Sequence, residues 1–180
     1  MVEEVRYLDG RVAHIGHFDR RAFVQNEDVT CQVDKDRREL NTRLHSAGHL
    51  LDMAVSQLGY DWMPTKGYHF PEGSYVEYQG DIGGEDTSEL AEKIDKQIAR
   101  ILDENPKTTI KFVDKAELAA LCRHVPDNIP KDKPIRVVLC GNFGIACGGT
   151  HVAEIKEIGS ETVRKIKAKP GSIRISYQIG

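Results

Sequence analysis

Apolar side chains recur at steps of three and four residues in two stretches of the chain, and this spacing predicts two amphipathic helices. The first helix is predicted over roughly residues 35–58 and is expected to stop at Gly59. The second is predicted over about residues 88–104, with Ser88 as its N-cap and Pro106 just past its end. The apolar positions that share a face are Leu40, Leu44, Ala47, Leu51, Val55 and Leu58 in the first helix and Leu90, Ile94, Ile98, Ile101 and Leu102 in the second.

Most of the other apolar residues are β-branched or alternate with polar ones, a pattern that is typical of strands. The predicted strands are residues 5–8, 11–17, 23–33, 67–70, 74–79, 107–113, 135–139, 161–167 and 172–179. A short third helix is predicted over residues 115–122, and a glycine-rich loop over residues 142–150. Helices mixed with paired strands predict the α+β class, with a mainly antiparallel sheet packed with helices.

Length and composition describe an ordinary globular chain. The 180 residues fit one domain with at most a small appendage, and we expect residues 1–33 to form a small N-terminal β unit packed on a main domain of residues 34–180. Hydrophobic residues make up 39% of the chain, charged residues 29%, and the mean hydropathy is −0.45. No apolar run approaches the roughly 20 residues of a membrane span, and the acidic N-terminus lacks the apolar segment of a secretory signal.

The spacing of the four cysteines helps to predict the cellular compartment of the protein. Cys31, Cys122, Cys140 and Cys147 include no closely spaced pair. Without a secretory signal, the expected location is the reducing cytoplasm, where free thiols or metal ligands are favoured over disulfides.

Charge is distributed unevenly along the chain. The net charge of −3 argues against a protein that coats long nucleic acids. Residues 72–104 carry ten acidic and three basic side chains, whereas residues 156–174 carry six basic and two acidic ones. A basic segment on an acidic chain suits a local contact with a polyanion, although a solvated surface has the same pattern.

Two pairs of residues have the spacing of metal ligands. His45 and His49 are four apart on the first predicted helix, well away from its apolar stripe, so both imidazoles can reach one ion or lie on the surface. Cys147 and His151 are also four apart, and the two glycines between them allow a tight loop. Two histidines with a cysteine and a third histidine form a plausible tetrahedral zinc set.

A zinc protease is the obvious competing interpretation of a helix with paired histidines. Such a helix needs a glutamate directly after the first histidine as the general base. Ser46 stands at that position, so the sequence speaks against a peptidase.

The two pairs lie in motifs that resemble a known family. Residues 43–51 (RLHSAGHLL) and 147–152 (CGGTHV) resemble the editing domain of alanyl-tRNA synthetases, and more closely the free-standing AlaX-type proteins that carry only that domain. The similarity covers most of residues 30–180 and includes residues 31–34, 68–70, 75–78 and 157–159. The first 30 residues resemble a trimmed version of an extra N-terminal β unit in longer members.

The resemblance implies an editing-domain-like fold with zinc on His45, His49, Cys147 and His151. It implies hydrolysis of the ester that joins a wrong amino acid, chiefly serine and also glycine, to tRNA for alanine. It implies action in trans on the acceptor end of the tRNA, and the lack of a P-loop means that ATP is not expected. Because threonyl-tRNA synthetases have related editing domains, Ser-tRNA for threonine stays open as a substrate.

Editing is needed because alanine, glycine and serine differ by one small group. In a binding pocket that group changes the discrimination free energy by only roughly 1–3 kcal/mol. An editing site gains selectivity by offering polar groups that bond the serine hydroxyl and stay unpaired beside alanine. Ser46 and Thr150 are the candidates for this contact because each is next to a ligand in sequence. Hydrogen bonds within the helix and the loop are their ordinary alternative roles.

The basic C-terminal hairpin is the candidate tRNA surface, with Arg43 near the histidine helix as a second. The hairpin residues are Arg164, Lys165, Lys167, Lys169 and Arg174, and Arg37 and Arg38 lie close to Arg43 in sequence. Aromatic residues that can stack on the terminal adenine are Tyr68, Phe70 and Tyr78, with core packing expected for two of the three. Residues that can give polar support near the zinc are Asp52, His69 and Glu77.

Two further functions stay open from the sequence. One is a zinc-containing module that binds tRNA without catalysis. The other is a zinc hydrolase that acts on an unrelated small ester. The sequence does not determine the oligomeric state, and no membrane contact is expected.

Overall fold

The computed structural model describes residues 1–125 and 133–180, which form two compact units, residues 1–33 and residues 34–180. In the first unit, β1 (Val2–Leu8) pairs with β2 (Arg11–Gly16) in an antiparallel hairpin around a turn at Asp9 and Gly10. The described backbone of residues 23–33 forms no strand, so that prediction is wrong. Its apolar side chains stay largely exposed, because the alternating pattern finds no neighbouring strand to pair with.

The main unit is α+β, as the sequence predicts, and its paired strands are antiparallel. Its helices are α1 (Lys35–Gln57), α2 (Thr87–Glu104) and α3 (Lys115–Leu121), with a 3-10 turn at Ile155–Ile158. Its strands are β3 (Met63–Tyr68), β4 (Tyr75–Gln79), β5 (Thr108–Val113), β6 (Ile135–Cys140), β7 (Phe143–Ala146), β8 (Glu161–Lys169) and β9 (Ser172–Ile179). Within residues 1–125 and 133–180, no helix is both long and apolar enough to cross a bilayer.

The core lies between two helices and one face of a four-stranded sheet. The strand order of that sheet is β3-β4-β9-β8, and a second sheet has the order β5-β6-β7. Along β9, Ile173, Ile175 and Tyr177 are buried and alternate with more exposed residues, which is the pattern of a sheet with one covered face. These side chains belong to one buried cluster with the apolar faces of α1 and α2. This packing fixes α1, the helix that carries the predicted histidine ligands, on the sheet.

The structure corrects the predicted start of α2. The helix begins at Thr87, and the Asp86 carboxylate accepts hydrogen bonds from the backbone N–H groups of Ser88 and Glu89. Asp86, and not Ser88, is therefore the N-cap. Aspartate and serine cap helices about equally well, so the sequence allowed both.

The structure also corrects the predicted loop over residues 142–150. Residues 143–146 form β7, which pairs with β6, so the loop is confined to the residues that follow. A Cβ atom on Gly144 would lie 3.0 Å from the carbonyl carbon of Leu121 and closer still to its oxygen. Glycine stands here because the backbone of α3 comes very close, a reason that the sequence alone does not distinguish from a flexible loop.

Asp52, a buried carboxylate on α1, makes the stability of the main unit depend on pH. Its side chain is 8% exposed, and burial raises its pKa from 3.8 to about 6, against a smaller opposing effect of the Arg123 charge. The pKa of Asp52 is higher in the folded state than in the unfolded state, so the protonated side chain favours folding. This stabilisation is complete below about pH 4 and is lost as the pH rises through 6. A shift of this size corresponds to ~3 kcal/mol.

We expect Asp52→Asn to flatten this pH dependence. Between about pH 4 and pH 7.5 the variant should lose ~3 kcal/mol less unfolding free energy than the wild type, because the amide does not ionise. Urea unfolding of both proteins across this range, in excess chelator, measures the difference. Asp103→Asn, which changes an exposed carboxylate on α2, should follow the wild type. If the unfolding free energies of Asp52→Asn and the wild type changed in parallel with pH, the ionised carboxylate would not be destabilised by burial.

Candidate metal centre

The four predicted metal ligands lie together. His45 and His49 project from α1, and Cys147 and His151 come from the loop after β7. One ligand atom from each residue can be chosen so that all four lie within 4.8 Å of one another. The Sγ atom of Cys147 is 3.4 Å from Nε2 of His45, and the His151 ring centroid is 4.6 Å from the centroids of both other rings. The group is able to hold a metal ion.

Hydrogen bonds fix the loop that carries Cys147 and His151. The Ser46 hydroxyl donates to the carbonyl oxygen of Thr42 at 2.9 Å and accepts from the N–H of Val152 at 3.0 Å. On the other side of the loop, the Arg136 guanidinium donates to the carbonyl oxygen of Cys147 at 2.6 Å, and the Cys147 N–H donates to the Arg136 carbonyl at 3.1 Å. Ser46 and Arg136 thus hold the two ends of the loop against α1 and β6.

Two glycines make room for the imidazole rings. A Cβ atom on Gly149 would overlap Cε1 and Nδ1 of His45, and a Cβ atom on Gly48 would overlap the ring of His69. A Cβ atom on Gly148 would meet nothing within 4 Å. Of the two adjacent glycines in the loop, only Gly149 is therefore required by the packing of the His45 ring.

The electrostatics of the site favour uncharged imidazoles. Burial, reinforced by the neighbouring histidines and Arg136, lowers the pKa of His49 well below 6.5 and that of His151 to about 4. Burial raises the pKa of the Cys147 thiol, while the Gly149 N–H and the Arg136 charge oppose this effect. Within the described part of the chain, both ring nitrogens of His151 are buried without a hydrogen-bond partner. Buried nitrogens that lack a partner fit a site built for a cation.

His69 packs directly against the site, although the sequence suggested only polar support for this residue. Its ring stacks on that of His45 at a centroid distance of 5.1 Å, and its Nδ1 atom lies 2.6 Å from the Tyr177 hydroxyl. That hydroxyl donates to the carbonyl oxygen of Leu44 at 2.8 Å. Because a tyrosine hydroxyl has one proton, His69 Nδ1 must be the donor in its bond to Tyr177. His69 is therefore held in one tautomer against the ring of His45.

A cleft of about 390 Å³ opens beside His151 and is lined by Glu39, Thr42, Arg43 and Val152 among others. The Arg43 guanidinium donates to the backbone oxygens of Ile158 and Gly180, which gives it a structural role next to the cleft. Its contact with tRNA stays a prediction.

The other predicted contact residues are divided between the surface and the core. Arg164, Lys165, Lys167 and Lys169 are exposed on β8, and the three lysines lie opposite Ser176, Arg174 and Ser172 of β9. Arg174 forms an ion pair with Glu77, so Glu77 supports the sheet. Tyr78 is 1% exposed and belongs to the core, so stacking on a base is wrong for this residue. Phe70 is 45% exposed and Tyr68 is half-buried.

Known proteins are similar to the chain along most of its length, although no family model matches it. The chain is 27% identical over 186 residues to an alanyl-tRNA editing protein, AlaX-L, from Pyrococcus horikoshii, which covers all of this chain and 44% of that protein. It is 26% identical over 189 residues to an alanine–tRNA ligase from Idiomarina loihiensis, and 25% identical over 193 residues to one from Thermoanaerobacter pseudethanolicus. Each of these two matches covers 98% of this chain and 21% of the ligase.

The chain therefore spans less than half the length of these relatives. The similarity nevertheless extends over almost the whole of this chain and connects it to two kinds of protein, an editing protein and ligases for the same amino acid. Its two distant motifs also meet in space, as the resemblance requires. The chain is therefore similar to an AlaX-type alanyl-tRNA editing protein and to alanine–tRNA ligases along almost its whole length.

Proposed function

We propose that the chain is a zinc-dependent hydrolase that works in the cytoplasm. It removes a wrongly attached amino acid, chiefly serine and also glycine, from tRNA for alanine, and it acts in trans. The observation that carries this proposal is the convergence of His45, His49, Cys147 and His151, whose ligand atoms lie within 4.8 Å of one another. The names of its relatives, an editing protein and alanine–tRNA ligases, supply the substrate class.

Zinc suits this ligand group in both chemistry and size. Three imidazoles and one thiolate are ligands that zinc prefers, whereas magnesium and calcium prefer oxygen. Bonds of about 2.0–2.3 Å would bring the four atoms to roughly 3.3–3.6 Å from one another around a tetrahedral zinc, so small side-chain rotations would close the present separations. When bound, zinc supplies positive charge that polarises a carbonyl or orients an amine or a hydroxyl of the substrate.

The residues around the ligands have positioning roles in this proposal. His69 restricts the rotation of His45 by stacking on it and is itself held by Tyr177. Both hydrogen bonds of the Ser46 hydroxyl go to backbone groups, and its side chain is only 2% exposed. We therefore assign Ser46 to the support of the metal loop and retain Thr150, which is exposed, for substrate recognition.

One observation favours a second candidate function, a tRNA-binding module with structural zinc. Four protein ligands fill a tetrahedral zinc site, and catalytic sites usually keep one position open. Such a module binds zinc and tRNA without hydrolysing the ester.

Deacylation assays on four charged tRNAs separate these functions. Zinc-loaded full-length protein should hydrolyse Ser-tRNA(Ala) and Gly-tRNA(Ala) and spare Ala-tRNA(Ala), and Ser-tRNA(Thr) tests the tRNA identity. A chelator should stop the reaction, and added zinc should restore it. Binding of tRNA without hydrolysis would support the module and contradict the proposal. Hydrolysis that survives complete removal of the metal would contradict the role of zinc.

The lysines of β8 should contribute to tRNA affinity through phosphate contacts. We expect the combined substitution of Lys165, Lys167 and Lys169 by glutamine to weaken tRNA binding and to lower the slope of log affinity against log salt by about 2–3, because each lost phosphate contact removes about 0.7–0.9. Fluorescence anisotropy with labelled tRNA at several salt concentrations measures both quantities.

The matched control changes the net charge equally at exposed lysines elsewhere, Lys96 on α2, Lys111 on β5 and Lys115 on α3. This control should keep the wild-type salt slope. Equal slopes in both triple variants would show that β8 is not the phosphate surface.

A further inference from the structure

The outer face of the four-stranded sheet, on the side away from the core, combines aromatic and basic side chains. On β4, Val76 and Tyr78 are buried in the core. Tyr75 and Glu77 alternate with them and therefore lie on the outer face. Residues that stand opposite each other on antiparallel strands share a face. Tyr68 of β3 lies opposite Tyr75, and the register extends this face across β9 to β8.

Four planar side chains form a continuous row on this side of the sheet. The Cζ atom of the Arg174 guanidinium lies 4.3 Å from the centre of the Tyr75 ring, and Tyr75 stacks on Tyr68 at a centroid distance of 5.7 Å. The ring of Phe70, which is 45% exposed, follows at 5.1 Å from that of Tyr68. Glu77 accepts a hydrogen bond of 2.7 Å from Nε of Arg174 and so holds the guanidinium in the row. Aromatic rings and guanidinium planes are the surfaces on which unpaired RNA bases stack.

Basic side chains flank the row and give this face a positive charge. Three lysines of β8 are exposed on it, Lys165, Lys167 and Lys169. Together with Lys66 and Arg174 they make five basic residues in the register of the face, where Glu77 alone is acidic. Because neighbouring strands are about 4.8 Å apart, the lysines of β8 lie roughly 10 Å from the ring of Tyr75. One nucleotide chain can therefore stack its bases on the row and place its phosphates at the lysines.

We propose that this outer face is a platform for single-stranded RNA, on which the unpaired 3′ end of the tRNA lies as it reaches the metal centre. Its bases stack on Tyr68, Tyr75 and Arg174. His69 connects the platform to the centre, because it directly follows Tyr68 in the chain and its ring stacks on that of His45. This inference rests on the proposed function and adds to it a surface that binds bases.

Binding of two RNA hairpins without an attached amino acid tests the inference. Both have the same stem, and one ends in a short unpaired 3′ tail while the other is blunt. Zinc-loaded full-length protein should bind the tailed hairpin about 10–100-fold more tightly than the blunt one. Tyr68→Leu and Tyr75→Leu keep an apolar side chain without the flat ring. Each should weaken binding of the tailed hairpin by about 5–100-fold and leave the blunt hairpin within about twofold, as measured by fluorescence anisotropy.

Two controls separate stacking from charge and from general effects on the protein. The slope of log affinity against log salt should stay at the wild-type value in both tyrosine variants, because a tyrosine ring carries no charge that pairs with phosphate. Phe112→Leu removes an exposed ring from β5, in the other sheet, and should bind both hairpins as the wild type does.

Photocrosslinking keeps the inference testable if a tyrosine variant does not fold. A tail that contains 4-thiouridine should crosslink to wild-type protein within residues 66–77 or 165–176. Crosslinks confined to other segments, equal wild-type affinity for the two hairpins, or normal binding of the tail by both folded tyrosine variants would overturn the inference. Tighter binding of a polyglutamate peptide than of the tailed hairpin would also overturn it and would assign the face to an acidic protein. Protein that binds the tail as expected but hydrolyses no aminoacyl-tRNA would contradict the proposed function alone.

Discussion

Replacing Cys147 with serine should release the metal from the protein. The thiolate is the one anionic ligand in the group, and a serine hydroxyl stays protonated at neutral pH and binds zinc poorly. We expect zinc affinity to fall by about 100-fold or more and deacylation of Ser-tRNA(Ala) to be lost with it. Metal content after dialysis and competition with a chromophoric chelator measure the affinity.

Cys31→Ser is the matched control because Cys31 is an exposed thiol in residues 1–33. It should keep the zinc content and affinity of the wild type. Circular dichroism separates loss of metal from loss of fold, since the buried apolar cluster between α1, α2 and the sheet does not include Cys147. Tight zinc binding by folded Cys147→Ser protein would exclude the proposed ligand set.

Periodicity predicted the two long helices and most strands of the main unit, because α1, α2 and β9 each bury one apolar face. The strand predicted over residues 67–70 is less accurate, since β3 is Met63–Tyr68 and has no buried residue. The predicted first helix differs from α1 (Lys35–Gln57) by a single residue, and the final hairpin was found with its turn in the right place. Spacing also predicted that each half of the metal centre acts as a pair. That the two pairs meet depends on contacts between residues about 100 positions apart. The residue types and spacing made one shared zinc set plausible, and the resemblance implied the same four ligands.

The features that the sequence did not predict depend on what lies opposite a residue in space. Gly144 and Gly149 both stand where another group comes too close for a Cβ atom, yet in the sequence they look like ordinary loop glycines. Nothing in the sequence distinguishes Thr42 from other helix residues, and only the structure shows that Thr150 lies beside it. The strand predicted from the alternation in residues 23–33 does not form for the same reason. A strand needs a partner strand, which the local sequence pattern does not specify.

The proposed metal centre combines two candidate ligands on α1 with two candidate ligands on a loop that is held by hydrogen bonds. The imidazoles of His45 and His49 are placed by α1, whose buried face is fixed in the core. Cys147 and His151 depend instead on the hydrogen bonds of Ser46 and on close packing at Gly149. Small changes in the loop should therefore affect metal binding more than they affect the stability of the fold.

Gly149→Ala should weaken zinc binding although it changes no ligand. The added methyl group would overlap the ring of His45, so either the ring or the loop must move out of the ligand position. We expect a loss of about 10–100-fold in zinc affinity, the range seen when groups that orient a ligand are altered, with little change in thermal unfolding of the metal-free protein. Gly148→Ala is the adjacent control, because its methyl group meets nothing within 4 Å. Chelator competition on both variants decides the matter: equal affinities would mean that the His45 ring is not held against the loop, and the close packing proposed for this centre would be wrong.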